Sequence, residues 1–268
     1  MQIVSFNASA SIELCSFFEE RRRNSVAVML ASGPSADTNA RQSAILQQHA
    51  DVWSLNQAFL HPFLVPRFHY VEFKLINQHS SEHVWARFFD ARLRRRYNET
   101  TFVSPKAQFA VLLKTLRMGA LPAAAASVEI RADAETAEHG CYSDSLRNRP
   151  LRLRVYCSSS LTLLVVLATR VNYSDIAFLG VDLNGPFHFY SFRPDMPYYE
   201  QKVTSRSVDT FGESTHATAA RGVHNFLDYA AASARQRFYN LSPHSLLCTN
   251  ASHMVQTTPA RLLNVVDS

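Results

Sequence analysis

Apolar residues in this chain gather in short unbroken runs, separated by polar segments with helical spacing. Val26-Ala-Val-Met-Leu30 and Ile176-Ala-Phe-Leu179 are such runs, as expected of strands covered on both faces. The first stops at Ala31-Ser-Gly-Pro-Ser35, and residues 36 to 50 then set Ala40, Ala44, Ile45 and Gln48 at helical spacing. Strand, tight Gly-Pro turn and helix together predict the opening of a doubly wound α/β sheet. Asp51 to Leu55 reads as the second strand, ending at Asn56-Gln57, and Phe68 to Lys74 as the third. Leu161 to Val171 is almost wholly apolar and long enough for a buried helix, and Asp175 to Gly180 follows as a buried strand. His216 to Arg235 predicts another helix, and Phe238 to Leu241 a last strand.

Residues 77 to 150 break this rhythm. Glu82 to Tyr97 and Pro105 to Arg117 are helix-like, Ala120 to Ala126 is alanine-rich around Pro122, and Asp133 to Asn148 is polar with turn residues. The region is expected to form an inserted helical lid rather than part of the sheet. The expectation for 1–268 is a single domain of α/β class. Its sheet is Rossmann-like, doubly wound and mostly parallel, with 77–150 as the lid region.

Composition removes several classes. Hydrophobic residues make up 47% and charged ones 18%, which lets the chain bury a core and excludes a disordered tail or a rod. Only seven glycines occur, where average usage gives roughly 19, and no cluster supplies a glycine-rich dinucleotide fingerprint. Cys15, Cys141, Cys157 and Cys248 are far apart and form no C-x-x-C pair. They make neither a zinc pattern nor a disulfide framework, so a reducing compartment is expected. The first 18 residues lack the basic start of a signal peptide, and no window is apolar enough to span a bilayer. A cytoplasmic location follows as an expectation, and the N-x-S/T sequons then carry no meaning.

Charge adds a smaller point. Lys and Arg number 27 against 22 Asp and Glu, a net +5, with local runs at Arg21–Arg23 and from Arg92 to Arg96. Such runs form a solvated face, or they meet an anionic partner such as a glycolipid or the inner membrane surface. Nucleic acid is not expected, because aromatic residues are not interleaved with the basic ones.

Candidate chemistry lies where the expected strands end. Ser32-Gly33-Pro34-Ser35 leaves a strand and opens a helix; Gly33 lets backbone approach a ligand, and amides at such a turn can hold a phosphate. Asn56 and Gln57 could bond a ribose or base, or could cap a helix. In Val181-Asp182-Leu183-Asn184-Gly185 a lone carboxylate follows a buried strand, the place where open α/β sheets hold ligands. It has no second acid at fixed spacing, and the chain contains no D-x-D, H-E-x-x-H or G-x-S-x-G motif. His216 begins a helix after a polar segment, where a neutral imidazole can act as a general base or serve structure alone. His188 and His224 are its competitors.

Taken in order, these pieces resemble a family. The Val26–Leu30 strand with Ser32-Gly-Pro-Ser35, then Asn56-Gln57, Ser160, Leu179-Gly-Val-Asp182 with Tyr190, His216, and Ser242-Pro-His-Ser-Leu-Leu247 look like the bacterial sialyltransferases of glycosyltransferase family 42. The match is tight over Val26–Gln57, Ser158–Tyr190 and His216–Leu247. Tyr156-Cys157-Ser158 and Val181–Gly185 are also similar to lipopolysaccharide-core Kdo transferases. Both groups use a CMP-activated 3-deoxy-2-ulosonic acid, so the donor class is better supported than the particular sugar.

The resemblance implies a metal-independent inverting transferase that needs no cofactor. Ser32, Gly33 and Asn56 would contact CMP and Ser160 the donor. Further substrate- or nucleotide-binding candidates are Pro34, Ser35, Gln57, Ser159, Asp182, Asn184 and Ser245. His216 would accept the proton of the attacking hydroxyl, and Tyr190 would bond the departing phosphate. The acceptor would be a bacterial surface glycan or glycolipid of lipopolysaccharide or capsule. Peripheral contact with the inner membrane and a homo-oligomer are compatible with this reading. Two positions depart from the family: Asn184 stands where it has a second tyrosine, and Cys157 where it has an arginine, for which Arg152 or Arg154 could substitute. These departures motivate an alternative, a non-catalytic nucleotide- or glycan-binding module of the same fold.

Overall fold

The computed structural model describes residues 3–6, 11–33, 35–38, 40–56, 58, 61, 63–71, 96–118, 124–128, 160–182, 214–242, 245, 247 and 254–266. In chain order the elements are β1 (Ile3–Phe6), α1 (Ser11–Glu19), β2 (Val26–Leu30), α2 (Ser35–Thr38), α3 (Ala40–His49), β3 (Ala50–Leu55) and β4 (Phe68–Tyr70). Then come β5 (Thr101–Pro105), α4 (Phe109–Met118) after a 3-10 turn, β6 (Ala124–Val128), α5 (Ser160–Arg170), β7 (Asp175–Leu179) and α6 (Ser214–Ser233). The chain finishes through β8 (Arg237–Asn240), β9 (Met254–Gln256) and α7 (Pro259–Val266).

The strands form one sheet in the order β1-β6-β5-β4-β3-β2-β7-β8-β9, and the pairings among the described residues are all parallel. This is the expected doubly wound α/β architecture. A parallel sheet is covered on both faces, and the apolar runs show why: all five residues of β2 and all five of β7 are buried. One face carries Ala27, Met29, Trp53, Phe68, Ile176 and Phe178 beneath α1, α5 and α6; the other carries Val28, Leu30, Val52, Phe102, Ala177 and Leu179 beneath α3, α4 and α7. Helix α5 packs over β2 and β3 with α6 beside it. It is therefore buried from Leu161 through Arg170, which is why its sequence lacks a polar face. No helix among the described residues is long and apolar enough to cross a membrane.

The middle of the chain corrects the sequence reading. Thr101–Pro105 and Ala124–Val128, inside the region expected to be a lid, are strands β5 and β6 of the sheet, joined through α4. Ala124-Ala-Ala-Ser-Val has helix-like composition, yet it pairs with β1 on one side and β5 on the other, where neighbouring strands decide the conformation. Residues 72–95 and 129–159 lie outside the described part. Two further differences are smaller. The helix expected over 36–50 comprises α2 and α3 and ends at His49, and β8 is followed by an edge strand, β9.

Candidate functional site

From β2 the chain steps outward through β3, β4 and β5 toward one edge, and from β7 through β8 and β9 toward the other. The turns after β2 and β7 therefore leave the sheet in opposite directions. Such a topological switch point opens a crevice beyond the carboxyl ends of the strands, the usual ligand position in open α/β sheets. Here it lies between Ala31–Gly33 and Gly180–Asp182.

These two turns are bonded together. The Ala31 amide donates to Leu179 O at 2.9 Å and the Gly33 amide to Gly180 O at 2.8 Å. The Ser35 amide donates to Asp182 Oδ2 at 2.8 Å. Gly180 has φ +72, and a Cβ there would stand 2.5 Å from Ala31 O, so both conformation and space require glycine. The turn after β8 closes the assembly. Ser242 Oγ accepts from Ser35 Oγ at 2.7 Å and from the Gly180 amide at 3.0 Å, while its own amide donates to Asn240 Oδ1 at 2.9 Å. Ser245 Oγ donates to Val181 O and accepts from the Leu247 amide.

Of the sequence candidates, the structure brings Gly33, Ser35, Asp182 and Ser245 into this one assembly. Ser35 and Ser245 are only 7% and 4% exposed, and their hydroxyls are engaged as just described, so they build the crevice walls. The Ser35 amide, at the turn whose amides were expected to hold a phosphate, donates to a carboxylate. Ser32 and Gly33 are half-buried beside it. Asn56, also half-buried, follows the end of the neighbouring strand β3 with φ +48, a left-handed conformation that asparagine tolerates better than most residues. Ser160 opens α5. In a parallel crossover the helix runs back against the strands, so its N-terminus lies at their carboxyl edge. The same argument places the backbone of His216, in the first turn of α6, at that edge. Pro34, Gln57, Ser159, Asn184 and Tyr190 lie outside the described residues, as do Arg152, Arg154, Cys157 and His188.

Ser242 is the main omission of sequence reasoning, which noted it only within a motif. Its position beyond a strand was legible, but a bond to a residue 207 positions away leaves no local signal. His69 is a second buried polar group, paired with Ser54 across β3 and β4: Ser54 Oγ and His69 Nδ1 are 2.7 Å apart. Burial holds its imidazole neutral, with its pKa lowered to about 3. Among the described residues no group of His, Cys, Asp and Glu is arranged to hold a metal ion.

No family model and no curated protein matches the chain. Among solved structures it is similar to the monofunctional alpha-2,3-sialyltransferase Cst-I from Campylobacter jejuni, at 14% identity and a TM-score of 0.47, covering 85% of this chain and 80% of that one. The fold defines a doubly wound α/β protein whose topological switch point lies between β2 and β7.

Proposed function

We propose that the chain is a metal-independent, inverting glycosyltransferase. It moves a 3-deoxy-2-ulosonic acid, sialic or another nonulosonic acid or Kdo, from its CMP ester to a hydroxyl of a bacterial surface glycan. The observation that carries this reading is a placement. The Ser32–Ser35 turn, Asn56, Ser160, Asp182 and the start of the His216 helix, scattered through the sequence motifs, all lie along the carboxyl edge of one parallel sheet.

In this reading CMP lies across the switch point, against Ser32, Gly33 and Asn56, with the sugar toward Ser160. The acceptor oxygen attacks the anomeric carbon as the bond from that carbon to the phosphate oxygen breaks. His216 takes the proton from the attacking hydroxyl, and CMP leaves with the bonding pair. Tyr190 donates a hydrogen bond to the departing phosphate, a fixed dipole where charge develops. No cofactor takes part. A glycolipid acceptor would bring the protein to a membrane surface.

The test is to incubate the protein with CMP-sialic acid and with CMP-Kdo, without divalent metal, and to measure CMP release in the presence of acceptor glycan. Release from one donor is expected, and His216→Ala should abolish it while leaving CMP affinity within about threefold. Release from neither donor, or only with a divalent ion, overturns the proposal. CMP binding without release from either donor favours the alternative prompted by Asn184 and Cys157, a binding module of the same fold.

A further inference from the structure

One oxygen at the switch point is left over. Asp182 is 8% exposed; its Oδ2 accepts from the Ser35 amide, but its Oδ1 is buried and has no hydrogen-bond partner among the described residues. A buried acceptor left unmatched is destabilising, and native structures rarely keep one without a use. Neighbouring donors are already committed: the Gly33 amide to Gly180 O, the Gly180 amide and the Ser35 hydroxyl to Ser242, and the Ser245 hydroxyl to Val181 O. Gly33 lies directly against the carboxylate, where a side chain would collide with it.

We infer that Asp182 reads an uncharged hydrogen-bond donor of the nucleoside, a ribose hydroxyl or the exocyclic amine of the base, and keeps phosphate away from the Ser32–Ser35 turn. An ionised carboxylate is an acceptor only, so it selects for an O–H or N–H group. It also repels an anion at the same turn, because like charges at contact distance in a partly buried site oppose each other strongly. The nucleotide therefore lies with its nucleoside over the β2 and β7 turns and its phosphate farther out. This arrangement rests on reading the crevice as the CMP site. It adds which part of CMP lies there.

The experiment measures affinities by calorimetry for CMP, cytidine, uridine, 2′-deoxycytidine, 3′-deoxycytidine and inorganic phosphate. For the wild-type chain, one analogue that lacks a donor should bind roughly 10- to 100-fold more weakly than cytidine, as expected for a hydrogen bond to a charged group. Uridine identifies the amine, and the deoxynucleosides identify a hydroxyl. Asp182→Asn keeps an acceptor for the Ser35 amide and should lower cytidine and CMP affinity by a similar factor, without weakening phosphate binding. If all the nucleosides bind the wild type alike, the inference falls, whatever the stability of the variant. It falls too if Asp182→Asn binds cytidine as the wild type does, which leaves the carboxylate a structural role alone. If the wild type binds neither CMP nor cytidine, the nucleotide reading fails and takes the inference with it.

Discussion

The main-chain amide of Ser35 donates to Asp182 Oδ2 across 2.8 Å, a single bond between residues 147 positions apart in the chain. It joins the turn after β2 to the turn after β7, the two strands from which the sheet winds in opposite directions. The two turns at the switch point are thus tied to each other by bonds within the protein.

Gly33→Ala should break this junction. A Cβ at Gly33 would stand 2.5 Å from Gly180 O and closer still to the Asp182 carboxylate. The carbonyl is backbone and has little freedom to move. Overpacking of this kind costs about 1–3 kcal/mol, and the shift should separate Ser35 from Asp182. Thermal unfolding together with CMP titration checks the point: both stability and affinity should drop, and a variant with unchanged stability and affinity would show that the turns are not held as described.

A second set of buried bonds ties the start of β3 to the segments that lead into β2 and β7. Tyr173 OH donates to Asp51 Oδ2 at 2.8 Å and accepts from Trp53 Nε1 at 3.2 Å, and Asp51 Oδ2 also receives the Arg23 amide at 2.9 Å. Burial and the Asp51 carboxylate push the Tyr173 phenol well above its ordinary range. Tyr173→Phe leaves the buried indole N–H without this acceptor, which should cost about 1–3 kcal/mol in denaturant unfolding. Because Trp53 and Tyr173 share one bond, Trp53→Phe in the Tyr173→Phe background should add less than it does alone; strict additivity would remove the coupling.

Much of this architecture was legible because local pattern and burial agree. Val26–Leu30 and Ile176–Leu179 are apolar runs because both faces of a central parallel strand are covered, and Leu161–Ala168 lacks a polar face because the sheet and α6 enclose it. Legibility failed where neighbours override composition. Ala124–Val128 is a strand because β1 and β5 flank it, although alanine favours helix. In the crevice, Gly33 and Asp182 were legible as candidates at strand ends. Their direct apposition and the linking role of Ser242 were not, because bonds between turns so distant in sequence impose no spacing.

His69 makes stability depend on pH in a definite direction. Its folded-state pKa is lowered to about 3 by burial, against an ordinary value near 6.5 in the unfolded chain. Stabilisation from the neutral ring is therefore fully present above about pH 6.5 and is lost as pH falls toward 3, because the unfolded state takes up the proton first. The loss should approach roughly 1 kcal/mol per pH unit in that window. His69→Asn can still bond Ser54 but does not titrate there. Urea midpoints from pH 7 to pH 4 should fall more steeply for the wild type than for this variant, and parallel profiles would rule the imidazole out as the source.

Asn56 allows backbone and side chain to be tested apart. Its φ of +48 is a conformation that most side chains resist and glycine adopts freely. Asn56→Gly should therefore be more stable than Asn56→Ala, by about 1 kcal/mol of left-handed backbone strain. Both variants lack the carboxamide. If that group contacts the nucleotide, both should bind CMP more weakly by a similar factor, about 10-fold, despite their different melting temperatures. A loss of affinity confined to Asn56→Ala would assign the residue to the shape of the turn, and retention of affinity in both would take Asn56 out of the site.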